Sequence, residues 1–187
     1  MTIQTLKPCA GRLLISEPSL QDFYFRKSVV LLADHSEEGS FGLIINKPIH
    51  IRLNEIAKDF PDFNTQVFLG GPVKTDSIFF IHTRNDLIRD SMPVLPGIFW
   101  GGDIVQVMKL LEGNILTSKE IRFYVGYSGW APKQLEEEME RNSWIVSKTV
   151  KDQVISDNPE NLWGEILRSM GGQYQLWSNY PSDPALN

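Results

Sequence analysis

Ser128 comes nearest to a catalytic setting in this chain. It stands in Gly126-Tyr127-Ser128-Gly129-Trp130, between an apolar stretch and the acidic segment that follows Ala131-Pro132-Lys133. A serine nucleophile needs a hydroxyl exposed on a sharp strand-to-helix turn, a base to take its proton and an acid to orient the base, and Gly-x-Ser-x-Gly supplies such a turn. Here the second glycine falls one residue early. His35 and His82 are candidate bases and Asp34 a candidate orienting acid, but spacing ties none of them to Ser128. A serine hydrolase is therefore disfavoured, because the site and not the fold must carry such a claim. The glycines admit two other readings: main-chain donors presented to a ligand, or close packing of backbones.

Gly70-Gly71-Pro72-Val73 and Gly101-Gly102-Asp103 are the other glycine-rich turns. Neither is followed by the Gly-Lys-Ser or Gly-Lys-Thr of a phosphate loop, and Asp103 would repel an anion, so tight turns and a helix cap are the favoured reading. His35, His82, Asp34 and Glu37 lack metal-ligand spacing, so no metal or cofactor is expected. Asn46, an amide closing an apolar strand before Lys47-Pro48, must find partners if buried. It either holds a neighbouring turn, the favoured reading, or faces a ligand. Trp130 and Trp144 read as packing anchors ahead of stacking platforms. Glu136-Glu137-Glu138 reads as a solvated helix face, with Glu137 spaced to pair with Arg141.

The 187 residues are 42% hydrophobic, enough for one core, and one domain over 1–187 is expected. Eighteen Lys and Arg against twenty-three Asp and Glu leave a net charge of -5. Direct nucleic-acid binding is therefore disfavoured, since phosphate neutralisation supplies much of that affinity. The lone Cys9 cannot close an intrachain disulfide, and the apolar runs are too short for a signal core or a membrane span. A soluble cytoplasmic protein is expected.

The elements that must position these residues follow from periodicity. Strands are expected at 11–16, 28–33, 41–46, 66–69, 77–82, 97–100 and 144–150, the second and third forming an antiparallel hairpin. Ile121, Phe123, Val125 and Tyr127 alternate as a strand with one face in the core, closed by a tight turn at 126–130. Helices are expected at 53–60, after Asp103 as N-cap, after Pro132, and over about 159–170. The stretch 86–96 reads as a loop, and 173–187 as a tail held only if Trp177 or Tyr180 anchors it. Clustered strands interrupted irregularly by helices indicate an α+β fold with a mixed, mostly antiparallel sheet.

The ordered set Gly11-Arg12-Leu13-Leu14-Ile15, Phe25-Arg26-Lys27-Ser28-Val29-Val30, Gly42-Leu43-Ile44-Ile45-Asn46-Lys47-Pro48, Gly70-Gly71-Pro72-Val73 and Gly126-Tyr127-Ser128-Gly129-Trp130 resembles the bacterial AlgH/YqgE family over residues 11–171. The resemblance implies a branched sheet partly closed into a small barrel and surrounded by helices. It also implies the family's label, regulation of transcription, with no reaction, cofactor or catalytic residue attached. Where family members often have glycines after Gly-Trp, this chain has Ala131-Pro132-Lys133, which stiffens that segment. The expected function is a non-catalytic regulatory or binding protein acting indirectly through a protein or small-molecule partner. The alternative is an enzyme or small-molecule sensor with a cleft where the 70–73 and 126–130 segments meet. Its candidate ligand-binding residues are Asn46, Gly70, Gly71, Gly126, Ser128, Gly129 and Trp130.

Overall fold

The computed structural model describes residues 6–180. In chain order the elements are β1 (Leu13–Ser16), β2 (Val29–Ser36), β3 (Gly39–Ile44), β4 (Pro48–Ile49), α1 (Leu53–Ile56), β5 (Val67–Leu69), β6 (Val73–His82), β7 (Met92–Leu95) and β8 (Ile98–Trp100). There follow α2 (Ile104–Glu112), β9 (Ile121–Trp130), α3 (Gln134–Glu140), β10 (Trp144–Ser147), α4 (Lys151–Val154), a 3-10 turn (Pro159–Asn161), α5 (Leu162–Met170) and α6 (Gly172–Trp177).

The α+β class and the mixed sheet hold: the strands run in the order β10-β1-β2-β3-β9-β6-β8-β7, and all these neighbours are antiparallel. The sheet branches at β9. One edge of β9 pairs with β6; the other is shared by β5, parallel along Phe123–Val125, and β3, antiparallel along Ser128–Trp130. The small barrel implied by the resemblance does not form, because β10 and β7 end the path without pairing with each other. Two features oppose closure. The shared edge of β9 makes β3 and β5 diverge, and β7 carries Pro93, whose missing N–H suits an edge strand.

Three apolar clusters hold the layers. Leu13, Ile15, Leu31, Leu43 and Tyr124 on the sheet meet Leu162, Trp163, Ile166 and Leu167 of α5, and the Trp163 indole N–H donates to Ser16 O at 3.0 Å. Phe80, Phe123 and Val67 meet Val107 and Leu111 of α2. The opposite face of β1–β3, with Leu14, Val30, Leu32 and Ile44, packs on Trp130, Leu135 and Trp144. Strand β9 is thus covered on both faces over its first half, where alternation suggested one. Phe123 and Tyr124 are each fully buried, in different clusters.

Several boundaries differ from the sequence reading for local reasons. Residues 126–130 are not a turn but the second half of β9; the chain turns only at 131–133, with Lys133 in the left-handed region at φ 67°. Expected loop 86–96 contains β7, since an edge strand tolerates proline. The helix expected over 53–60 ends at Ile56, and Phe60 beyond it packs edge-on to Phe123 at 5.7 Å. The strand expected over 144–150 stops at Ser147 and α4 follows. Asp103 caps α2, its Oδ1 accepting from Val105 N and Gln106 N. The C-terminal stretch is helical to Trp177, and Tyr174 and Trp177 pack against the first cluster. The Lys27 ammonium donates to Tyr180 O; residues 181–187 of the expected tail lie outside the described ones. No helix among the described residues is long and apolar enough to cross a membrane.

Candidate functional site

The two glycine segments meet, and their meeting is the branch of the sheet. Gly70 N donates to Val125 O at 2.8 Å, while Gly70 O accepts from Ile44 N at 2.9 Å and from Ser128 Oγ at 3.0 Å. A Cβ on Gly70 would lie 2.2 Å from Gly126 O, and one on Gly126 would lie 2.5 Å from Gly71 O at a φ of +67°. Backbones this close exclude any side chain between them. Ser128 is fully buried and its proton is committed to the Gly70 carbonyl. Asn46 is likewise engaged: its Oδ1 accepts from Val29 N at 2.7 Å and its Nδ2 donates to Lys27 O at 2.9 Å, holding a bend in which Lys27 has φ 50°. Gly70, Gly71, Gly126, Ser128 and Asn46 are thus enclosed, whereas Gly129 and Trp130 reach an open groove.

That groove, about 650 Å³, lies between the β2–β3 hairpin tip, β6, β8 and the end of β9. Its floor is a circuit of four half-buried rings: Phe41 to Trp100 at 5.2 Å, Trp100 to Phe79 at 5.8 Å, Phe79 to Tyr127 at 5.2 Å, and Tyr127 to Phe41 at 6.5 Å. Most of these contacts are edge-to-face, as ring quadrupoles favour. The rings are the partly covered margin of the first core cluster. Asp34, Glu38 and Lys74 are the charged residues of the lining, two acids to one base. Lys74 sits where β6 slips register against β9, between Val73 and Ile78, and has φ 50°. Such a bulge re-aims side chains.

On the hairpin, His35 and Ser40 are direct cross-strand partners, and His35 Nδ1 lies 2.7 Å from Ser40 Oγ. His35 Nε2 lies 3.7 Å from Glu136 Oε1. Acid, imidazole and hydroxyl are thus in series, and of the three Ser40 alone lines the groove, while Ser128 has no acid or imidazole beside it. His82 belongs to another network, with Nδ1 accepting from Arg84 N at 3.1 Å and Nε2 facing Gly101 O at 3.0 Å and Ser91 Oγ at 2.8 Å. The Arg84 N–H therefore fixes the tautomer with hydrogen on Nε2. Burial holds the His82 pKa below the usual imidazole value, against the Gly101 hydrogen bond and Asp86, which raise it.

On the acidic helix Glu136, Glu137 and Glu140 are exposed as expected, and one carboxylate departs from the solvated face. Glu138 turns inward, and its Oε2 accepts from both the Trp130 and Trp144 indole N–H groups, at 2.9 and 2.7 Å; Gln134 Nε2 donates to its Oε1 at 2.9 Å. Both indoles are 5% exposed, so one carboxylate satisfies two buried donors. No ion pair joins Glu137 to Arg141; Arg141 closes α3 through its backbone N–H to Glu137 O. Among the described residues no group of three or more His, Cys, Asp or Glu could hold a metal ion. Sequence reasoning missed Phe41, Phe79, Trp100 and Tyr127 as a set. Each sits in an apolar strand, and only the pairing of β3, β6, β8 and β9 brings them together.

The chain matches the profile of the AlgH-like family over residues 13–175. UPF0301 proteins of Cytophaga hutchinsonii and Bacteroides fragilis are 42% and 43% identical to it over 179 and 182 residues, covering 95% and 96% of this chain and 98% and 92% of theirs. The solution structure of the AlgH protein of Pseudomonas aeruginosa is similar with a TM-score of 0.71 at 25% identity, covering 93% of this chain and 96% of that one. The crystal structure of a Corynebacterium diphtheriae protein shares the fold with a TM-score of 0.77 at 21% identity, covering 95% of each chain.

Proposed function

The chain belongs to the AlgH-like family, and from that membership we propose that it is a non-catalytic cytoplasmic regulatory protein that binds a small molecule in the aromatic groove. The observation that carries this reading is the circuit of Phe41, Phe79, Trp100 and Tyr127, left half-exposed along a groove of about 650 Å³. Ligand sites are commonly concave, of roughly 300–1,000 Å³, mostly apolar, with a few polar groups to orient the ligand. The ring faces and the two acids, Asp34 and Glu38, favour a flat ligand bearing an amine or other cation, through stacking and cation–π attraction. Any effect on transcription runs through the bound ligand or a protein partner, since the net charge of -5 supplies no general attraction to DNA.

Isothermal titration against a panel of heteroaromatic amines, with their neutral and anionic analogues, tests the reading. A cationic ligand should bind saturably, quench tryptophan fluorescence, and lose about tenfold or more in affinity with Trp100→Ala, as loss of one stacked ring predicts. A Trp100→Ala protein that binds unchanged, or a sequence-dependent shift of DNA mobility at physiological salt, would overturn it.

One observation favours a second reading, a hydrolase using Ser40, namely the His35 contact to Ser40 and the Glu136 carboxylate beyond it. Covalent labelling by a fluorophosphonate, abolished by Ser40→Ala, would establish that chemistry and displace the binding protein.

A further inference from the structure

Two of the enclosed side-chain polar atoms that lack a hydrogen-bond partner, Arg12 Nη1 and Thr149 Oγ1, belong to residues lining one cleft. The cleft, about 300 Å³, is formed by residues 10–12 ahead of β1, 94–96 at the end of β7, and 148–149 after β10. It shares no residue with the aromatic groove. An enclosed donor left unpaired is costly, and native structures rarely keep two in one place without a partner that fills the gap.

The strand register sharpens the point. The β1–β10 ladder ends at the rung Leu13–Ser147, so Arg12 and Lys148 each stand one residue beyond it at the same end, and both line the cleft. Like charges brought together at one strand end repel. Among the described residues no carboxylate lines the cleft to offset them, and neither Arg12 nor Lys148 makes an ion pair. Two cations and a hydroxyl therefore converge on a space lined otherwise by Ala10, Gly11 and the Val94-Leu95-Pro96 corner.

We propose that this cleft is an oxyanion site that takes a phosphate group, with Arg12 and Lys148 neutralising its two charges and the Thr149 hydroxyl donating to a third oxygen. Arginine offers a planar fork to phosphate oxygens and lysine a point charge, so the pair suits a tetrahedral dianion better than a planar monoanion. Binding draws Arg12 Nη1 from its enclosed position onto an oxygen and removes the repulsion with Lys148. Free phosphate and the terminal phosphate of a small metabolite share this chemistry.

Amide NMR titrations with inorganic phosphate and with glycerol phosphate, against acetate and chloride at equal ionic strength, test the site. Saturable shifts confined to residues 10–12, 94–96 and 148–149, weakened about tenfold or more by Lys148→Ala, are expected for loss of one charged partner. Tighter binding of glycerol phosphate assigns the site to a phosphorylated metabolite; equal or tighter binding of inorganic phosphate assigns it to the free ion. Lys148→Glu supplies Arg12 with an internal carboxylate, so it should raise Tm without phosphate and abolish the phosphate-dependent gain in Tm. Shifts no different from those with chloride, or a Lys148→Glu protein that is still stabilised by phosphate, would overturn the proposal.

Discussion

Glu138 shows how one residue's role depends on its direction. In the string Glu136-Glu137-Glu138 nothing distinguishes it, yet it alone accepts from two indole N–H groups in the cluster beside α3. Truncation to alanine strands both donors in an apolar setting. Glu138→Ala should lower the unfolding free energy by about 2–6 kcal/mol, at about 1–3 kcal/mol for each of the two unsatisfied donors, measured by urea denaturation. Glu138→Gln keeps an acceptor oxygen and should cost less. Asn46 and Ser128 work in the same way, spending their polar atoms on Lys27, Val29 and Gly70, which is why their chemistry does not face a groove. Their types were informative in the sequence; whether they pointed at backbone or at ligand was not.

At the scale of elements, the decisive unit is β9 with the Gly70–Gly71 corner against it. Glycines that read as a turn serve as the place where one strand passes from β5 to β3 along a single edge. Gly126 and Gly129 then part company. A Cβ on Gly126 meets Gly71 O and Val73 O at a positive φ, whereas one on Gly129 meets only the Tyr127 ring at 3.3 Å and Val73 Cγ2 at 3.7 Å. Gly126→Ala should destabilise the fold by about 2 kcal/mol or more, from backbone strain and a main-chain clash. Gly129→Ala should stay within about 1 kcal/mol of the parent while weakening ligand binding, because its new methyl intrudes on the groove. Thermal melts paired with ligand titrations separate the two, and equal losses of stability would refute the branch-point argument.

The pH response belongs to the whole molecule, because buried titratable groups in separate layers act together. His82, its pKa lowered mainly by burial, takes up a proton less readily in the native state; its contribution is present above the unfolded value of 6.5 and is lost as pH falls from there through the lowered one. Lys47 is lowered to about 8, by burial first and Arg26 second, so the native state gains stability as pH rises from about 8 toward 10.5. Tyr124 is raised to about 12 by burial, against Arg122, so its contribution is lost as pH climbs above 10. Urea midpoints should therefore fall on acidification below pH 6.5, rise from pH 8 to 10, and decline beyond. His82→Gln should flatten the acid limb, and Lys47→Met should flatten the rise between pH 8 and 10. Unchanged limbs in both variants would show that other groups govern the profile.

Periodicity and turn chemistry determined the hairpin of β2 and β3, the Asp103 cap, the amphipathic α5 and the α+β class, because those signals are local and each residue's neighbours carry them. Short motifs in fixed order pointed to the AlgH-like family, and Gly70–Val73 and Gly126–Trp130 were legible as segments suited to close contact. Tertiary structure alone decided that the branched sheet implied by the resemblance stays open, that Pro93 lies in an edge strand, and that Glu138 faces inward. It alone assembled Phe41, Phe79, Trp100 and Tyr127 from four strands. The physical reason is that pairing partners and side-chain direction depend on strand register between distant segments, which the local pattern of any one segment does not contain.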